Sequence, residues 1–322
     1  MKKIFKLPVA FALLALALVS CSDDVDYELF TKYTYLLNNG WQENIKMEIN
    51  DDNTVTLPVY FGVNGTTGND KDITVKIAVD PDTLKDYNFD KYKNDTTAYY
   101  TMLPENCFSF DKDSYVLPKG KLSTQATCTI NLETLKSTAS IFNEYVLPLK
   151  IASSEGEPTG PSRYSKALFF INLSNVYSGT YSGTGRLQQI GTSYTSDAGG
   201  KQLYAISRDE CYIYLGNADR STTYNKKFIA RLHFNEDGSI DVSAISPDID
   251  FKPISGSYSF RFTQNANDSR KLARRTVVKL ACEYTDVTDK YASVRIHYET
   301  TLTMNDDVMK ADWPNAVIST DN

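Results

Sequence analysis

The chain is poor in the residues that usually carry catalysis or metal. Histidine occurs only 2 times in 322 residues and tryptophan 2 times, which argues against a His-rich zinc site or a His-based triad. There is no Cys-x-x-Cys spacing and no Gly-x-Ser-x-Gly elbow, so thiol-redox, zinc-ribbon and serine-hydrolase signatures are missing. Basic charge is not in excess. The formal charge is −6, and phosphate backbones require a basic surface, so nucleic acid is not an expected partner. What remains is an ordinary globular composition. Apolar residues make up 41% and charged residues 23%, which excludes disorder and leaves enough apolar mass for a full core without metal or disulfide staples. Tyrosine is over-represented at 22 residues.

The apolar run Val9–Val19 is too short for a membrane-spanning helix, which needs about 20 residues. Lys2, Lys3 and Lys6 precede it, and it ends in Leu18-Val19-Ser20-Cys21. This has the form of a secretory signal over residues 1–20, and its end looks like a bacterial lipobox in which Cys21 becomes the lipidated residue. Cleavage removes three lysines and no acids, so −6 becomes −9. Ser22-Asp23-Asp24 resembles the acidic surface-export signal of Bacteroidetes lipoproteins. The expectation is a lipid-anchored protein on the extracellular side of the outer membrane. Residues 21–27 would form the tether, and the membrane would be touched through the lipid alone.

Beyond residue 27 the recurring pattern is alternation, not helical periodicity. Residues 28–174 read as strands near 44–50, 54–63, 72–79, 106–110, 122–132, 144–151 and 165–173. In 122–132, Leu122, Thr124, Ala126, Cys128, Ile130 and Leu132 share one face. Pro81–Tyr87 reads as a short helix with proline in its first turn. Short strands at this density predict an immunoglobulin-like β-sandwich. Residues 175–322 read as strands near 201–207, 210–216, 226–235, 239–245, 256–264, 274–285 and 292–304, with Asn235–Ser239 as a hairpin turn. One-sided alternation in these longer strands predicts a lipocalin-like antiparallel β-barrel, with a second sandwich as the alternative. The fold class is all-β. Cys211 and Cys282 share phase with apolar neighbours and read as buried thiols. Cys107 and Cys128 could form a bridge in an exported protein.

Several segments together resemble a family of Bacteroidetes surface lipoproteins. They are the lipobox, Tyr100–Pro104, Pro118-Lys119-Gly120, Tyr145–Leu149 and Tyr177–Gly185. That family joins an immunoglobulin-like N-terminal domain of unknown function to a lipocalin-like C-terminal domain. Its genes accompany SusC/SusD-type glycan-uptake systems. The resemblance implies a polysaccharide or oligosaccharide ligand and a SusC/SusD-type partner complex, but supplies no binding residues.

Candidate chemistry has to come from the residues themselves. No motif selects a catalytic carboxylate pair among the 40 acids, so the protein reads as a non-enzyme, and no cofactor or metal is called for. The acidic loops Asn69–Asp72 and Asp111–Ser114 lack the EF-hand spacing and read as solvated turns. Asp82-Thr83-Leu84 and Asp95-Thr96-Thr97 resemble Bacteroidetes O-glycosylation sites. Sugar binding needs exposed rings that stack on the C–H face of a pyranose beside a few polar groups. Tyr212 and Tyr214 lie opposite in phase to Cys211, Ile213 and Leu215 and are expected to face outward. With Tyr194, in a Gly/Ser/Thr-rich loop, and Trp41 and Trp313, in segments of weak strand pattern, they are the candidate glycan-binding aromatics. A structural or protein-binding accessory of a surface complex is the alternative function.

Overall fold

The computed structural model describes residues 27–138, 140, 142, 144–221, 224–289 and 291–319. The signal segment, Cys21 and nearly all of the tether lie outside the described residues. The chain is nearly all β. Its first twelve strands are β1 (Thr34–Leu36), β2 (Gly40–Gln42), β3 (Lys46–Glu48), β4 (Thr54–Val63), β5 (Ile73–Val79), β6 (Thr101–Met102), β7 (Phe108–Phe110), β8 (Tyr115–Leu117), β9 (Ser123–Asn131), β10 (Tyr145–Glu155), β11 (Lys166–Phe170) and β12 (Asn172–Ser174). One sheet runs β1-β4-β9-β7. The facing sheet runs β2-β11-β10-β5-β8 with β6 beside β10, and β12 pairs with β3 at its margin. Alternate residues of β4 and β9 (Val55, Leu57, Val59, Phe61; Ala126, Cys128, Ile130) meet Ile73, Val75, Leu147, Leu149 and Phe169 in one core. This is the period-2 pattern of a two-sheet sandwich. Leu122 departs from the expected face and is 61% exposed, because β9 begins only at Ser123. Cys107 and Cys128 are both buried and unbridged, so the disulfide considered above does not form. They pack instead as small apolar groups.

Helix α1 (Pro81–Tyr92) is longer than its sequence signal. Polar residues interrupt its apolar face, but Asn88 is buried and stands in for a hydrophobe. Its amide donates to the Tyr100 carbonyl at 2.9 Å and accepts from the Tyr100 N–H at 3.0 Å. Lys93, at φ 53°, ends the helix. Two short helices, α2 (Leu132–Thr138) and α3 (Ser162–Ser165), fill crossovers.

The second domain uses β13 (Gly179–Gln189), β14 (Thr195–Ala198), β15 (Lys201–Ala205), β16 (Glu210–Tyr214), β17 (Ile229–Phe234), β18 (Ile240–Ala244), β19 (Lys252–Gln264), β20 (Lys271–Asp286) and β21 (Val294–Met309). They form a single sheet in the order β18-β17-β16-β15-β13-β21-β20-β19, with β14 on β13. The sheet curls until its edges meet. The Tyr258 N–H donates to the Gly238 carbonyl at 2.8 Å and Ser239 bridges Ser257. This is a nearly closed barrel, not a second sandwich. Gly256 permits the seam, since a Cβ there would lie 2.5 Å from the Ile240 carbonyl oxygen. The interior is filled by Tyr181, Leu203, Ile213, Leu232, Cys282, Tyr298 and Leu302. Cys211 and Cys282 are buried free thiols, as read from their phase.

The two domains are joined by specific contacts. The Asn175 amide donates to the carbonyls of Ser207 (2.7 Å) and Glu210 (3.0 Å). Lys136 pairs with Glu210 at 3.4 Å and Arg208 with Asp51 at 3.0 Å. Arg220 pairs with Glu144 and lies over the rings of Phe170 and Tyr204. Among the described residues no helix is long and apolar enough to cross a membrane.

Candidate functional site

The aromatic candidates do not form one surface. Tyr212 and Tyr214 do point away from the barrel core, but they are 7% and 5% exposed. The sandwich covers that side: Phe142 meets Tyr212 edge-on at 5.5 Å, and Tyr204 stacks on it at 4.8 Å. Outward phase therefore did not mean solvent, and these two rings serve the domain interface. Trp41 lies on the outer face of the sandwich. It stacks on Tyr87 at 4.5 Å with a 5° interplanar angle, and Lys91 sits 5.4 Å from its ring centre. With Tyr100 and Phe170 it roofs the small core between α1 and the sheet. Trp313 packs at 4.9 Å on Phe262 and 5.2 Å on Phe260, with the Arg274 guanidinium 5.3 Å away. It closes one end of the barrel.

Tyr194 is at the other end. Gln188 and His297 are paired on β13 and β21, whereas Arg274 pairs with Asp306 much further along β21. From His297 to Asp306 the rise is about 30 Å. Tyr194 is 65% exposed. Its loop is fixed by a Thr192 N–H to Gln189 carbonyl bond at 3.2 Å and a Gln189 N–H to Tyr194 carbonyl bond at 3.1 Å. Gly191, at φ 83°, makes the turn.

The ring stands at the edge of a cleft of about 350 Å³. In an antiparallel barrel alternate loops fall at the same end. The loops after β13, β16 and β20 therefore meet here although they are far apart in sequence. Gln189, Ser196, Asn217, Asn225, Asp286 and Thr288 supply polar walls, and Leu187, Leu215, Phe228 and Tyr284 supply an apolar floor. The Gly216 conformation (φ 57°) belongs to glycine, and any Cβ there would strike the Tyr284 hydroxyl. Burial pushes the Tyr284 phenol well above its ordinary value, so it stays protonated. Asp286 is held by the Thr288 N–H at 2.8 Å. Asp219 accepts from the Ser221 N–H at 2.8 Å and the Asn225 amide at 3.2 Å. Behind that loop Lys201 donates to the Ala218 carbonyl at 3.1 Å. Burial lowers its amine to about 8, against the opposing pull of Asp219.

Among the described lining residues Asp286 is the one charged side chain. Amides, hydroxyls and a carboxylate beside one exposed ring can hydrogen-bond and stack on a polyhydroxylated ligand. Of the aromatics named from sequence, Tyr194 alone lines this cleft. The polar wall was not identified. Its one sequence signal is the pairing of loop lengths and strand order, which requires the barrel topology first.

Other sequence readings resolve locally. His233 and His297 lie on β17 and β21, which are not neighbours. His297 instead meets Glu299 at 2.8 Å. Asp111 accepts from the Tyr115 hydroxyl at 2.6 Å, and Asp72 from the Lys119 N–H at 2.7 Å, as turn residues do. No group of His, Cys, Asp or Glu suited to a metal ion occurs among the described residues. The Thr83 hydroxyl donates to Asp80 at 2.5 Å and accepts from Lys166 at 3.0 Å.

Comparison with known proteins gives two adjoining matches. Residues 30–158 match a family model described as an N-terminal domain, and residues 165–305 match one described as a C-terminal domain. The chain joins these two family domains. No functionally curated protein matches the sequence. Solved structures do match over nearly the whole chain. A multidomain protein including DUF1735 from Bacteroides ovatus has a TM-score of 0.71 at 20% identity, covering 87% of this chain and 97% of that one. A Bacteroides ovatus protein of unknown function has a TM-score of 0.72 at 22% identity, covering 91% and 98%. An auxiliary nutrient binding protein from Bacteroides thetaiotaomicron has a TM-score of 0.70 at 19% identity, covering 84% and 92%. At these identities the likeness carries the fold alone.

Proposed function

We propose that this chain is a non-catalytic surface lipoprotein that binds an extracellular glycan for an adjacent uptake system, and that the barrel-mouth cleft is where it binds. The observation that carries the reading is the cleft itself. An exposed Tyr194 stands beside amide and hydroxyl side chains over an apolar floor. This is the composition by which small polar ligands are held. The lipobox at Cys21 and the acidic residues after it support the location, with the extracellular side of the outer membrane as the site of action. The name of the Bacteroides thetaiotaomicron relative, an auxiliary nutrient binding protein, is in keeping with this role. A SusC/SusD-type complex is the partner to which bound glycan would pass.

Affinity electrophoresis of the mature protein, starting after Cys21, through plant, host and microbial polysaccharides tests the reading. Retardation by one of them, lost in Tyr194→Ala and kept in Trp313→Ala, is the expected result. Free migration through every gel would overturn it. Co-purification with another outer-membrane protein would then favour the protein-binding alternative.

A further inference from the structure

We infer that the barrel-mouth cleft grips the end of a sugar chain, or a single branch, and not an internal run of the chain. The inference rests on the glycan-binding reading of this cleft and deepens it. Its basis is shape. The floor residues Leu187, Leu215, Phe228 and Tyr284 are all buried members of the barrel core. Beneath them the interior is packed by Ile213, Cys282 and Tyr298, so nothing can thread onward into the barrel. The walls are separate loops after β13, β16 and β20. The result is a cup closed at the bottom. Its volume of about 350 Å³ lies at the low end of small-ligand sites, which span roughly 300–1,000 Å³. That space suits a short terminal stub.

The lining of the cup points the same way. A polymer lying lengthwise across a surface is held by several exposed rings in line, each stacking on a successive sugar. Neither tryptophan extends such a row. Trp313 belongs to the opposite end of the barrel, packed on Phe260 and Phe262. Trp41 is on the sandwich, stacked face to face on Tyr87. At the mouth Tyr194 is the exposed ring that lines the cup, whereas the exposed Tyr224 and Tyr291 stand in loops at the same end but outside its lining, so one sugar is stacked within the cup and its neighbour leaves toward solvent.

The two binding modes differ in stoichiometry. A site for chain ends binds one protein per linear chain at any length. A site for internal segments binds more protein per chain as the chain grows, and its affinity per chain rises with the number of registers. The experiment is isothermal titration of the mature protein with linear cello-, malto-, xylo-, manno- and laminari-oligosaccharides, from disaccharide to octasaccharide. The expected result is one series that binds at one protein per chain throughout, with Kd changing by less than about two-fold beyond the trisaccharide (well under 1 kcal/mol). Tyr194→Ala should weaken every length of that series alike. A rising number of proteins per chain, or a Kd that keeps falling with length, would overturn end recognition while leaving glycan binding intact. Absence of binding by every series would overturn the glycan-binding reading, and end recognition with it.

Discussion

Replacing Asp80 with asparagine should cost the sandwich about 2 kcal/mol at neutral pH, and the cost should fade in acid. Asp80 sits just before α1 and is only 2% exposed. Its carboxylate meets Lys150 at 3.0 Å and Lys166 at 2.8 Å and accepts from the Thr83 hydroxyl at 2.5 Å. Burial alone would raise its pKa. The two ammonium groups and the hydroxyl outweigh burial and hold it at about 2, against an ordinary 3.8. Each unit of displacement corresponds to about 1.4 kcal/mol, which gives the figure of about 2 kcal/mol. Because the folded pKa is depressed, this stabilisation is complete above the unfolded value of 3.8. It is lost as pH falls from there through about 2. Near pH 3 about half remains. Asn keeps the size and a hydrogen bond to Thr83 but removes the charge, leaving two lysines facing each other. Urea denaturation of wild type and Asp80→Asn at pH 7 and pH 3 measures the difference, and at pH 7 the sandwich transition should also move down by roughly 4–8 °C. Equal stability at pH 7 would refute the reasoning. A gap that stays the same at pH 3 would show that packing, not charge, is what Asp80 contributes.

Four further outcomes are expected. Tyr194→Ala should weaken glycan binding about 10-fold, the effect of one lost stacking ring, with melting unchanged; affinity gels and calorimetry read the two separately. Gly256→Val should destabilise the barrel by about 1–3 kcal/mol through the overlap with the Ile240 carbonyl, visible as a lower urea midpoint. Glu210→Ala removes the partner of Arg231 and Lys136. It should cost about 2 kcal/mol, reduced by the partial exposure of Arg231, and split a joint calorimetric transition into separate sandwich and barrel melts. Burial holds the thiols of Cys128 and Cys282 up at about 12. Iodoacetamide at pH 8 should therefore label neither until the protein is unfolded, as intact-mass spectrometry would show.

The architecture was legible where one face of a strand is buried and the other wet. The alternation over 54–63 coincides with β4, and Phe228, Ala230, Leu232 and Phe234 all turn inward as their phase requires. It was illegible in β13, which opens the barrel and pairs with β14, β15 and β21. Gly179, Gly183 and Gly185 replace the side chains that would have marked its alternation. At Gly183 a Cβ would run into the Thr301 carbonyl, so the residue that hides the strand is the one that lets it pack. The site was legible only at Tyr194. Phase placed Tyr212 and Tyr214 on the outside of the barrel wall, but only the docked sandwich, with Phe142, shows that this outside is interior. Gln189, Asn217 and Asp286 become neighbours only once the barrel closes.

The course of β4 has a mechanical consequence. Asn53 and Asp51, at its start, are held by Arg208 of the barrel. At its far end Glu28 accepts from the N–H groups of Thr66 and Thr67. The chain therefore enters the sandwich about 30 Å, one strand length, from that contact with the barrel. A force applied at the barrel would travel through the ion pairs between the domains and down β4 before reaching residue 28. Under the proposed lipid anchor, the sandwich is a stiff strut between the chain's entry at residue 28 and the barrel. Loosening the Arg208 and Glu210 contacts would turn that strut into a hinge.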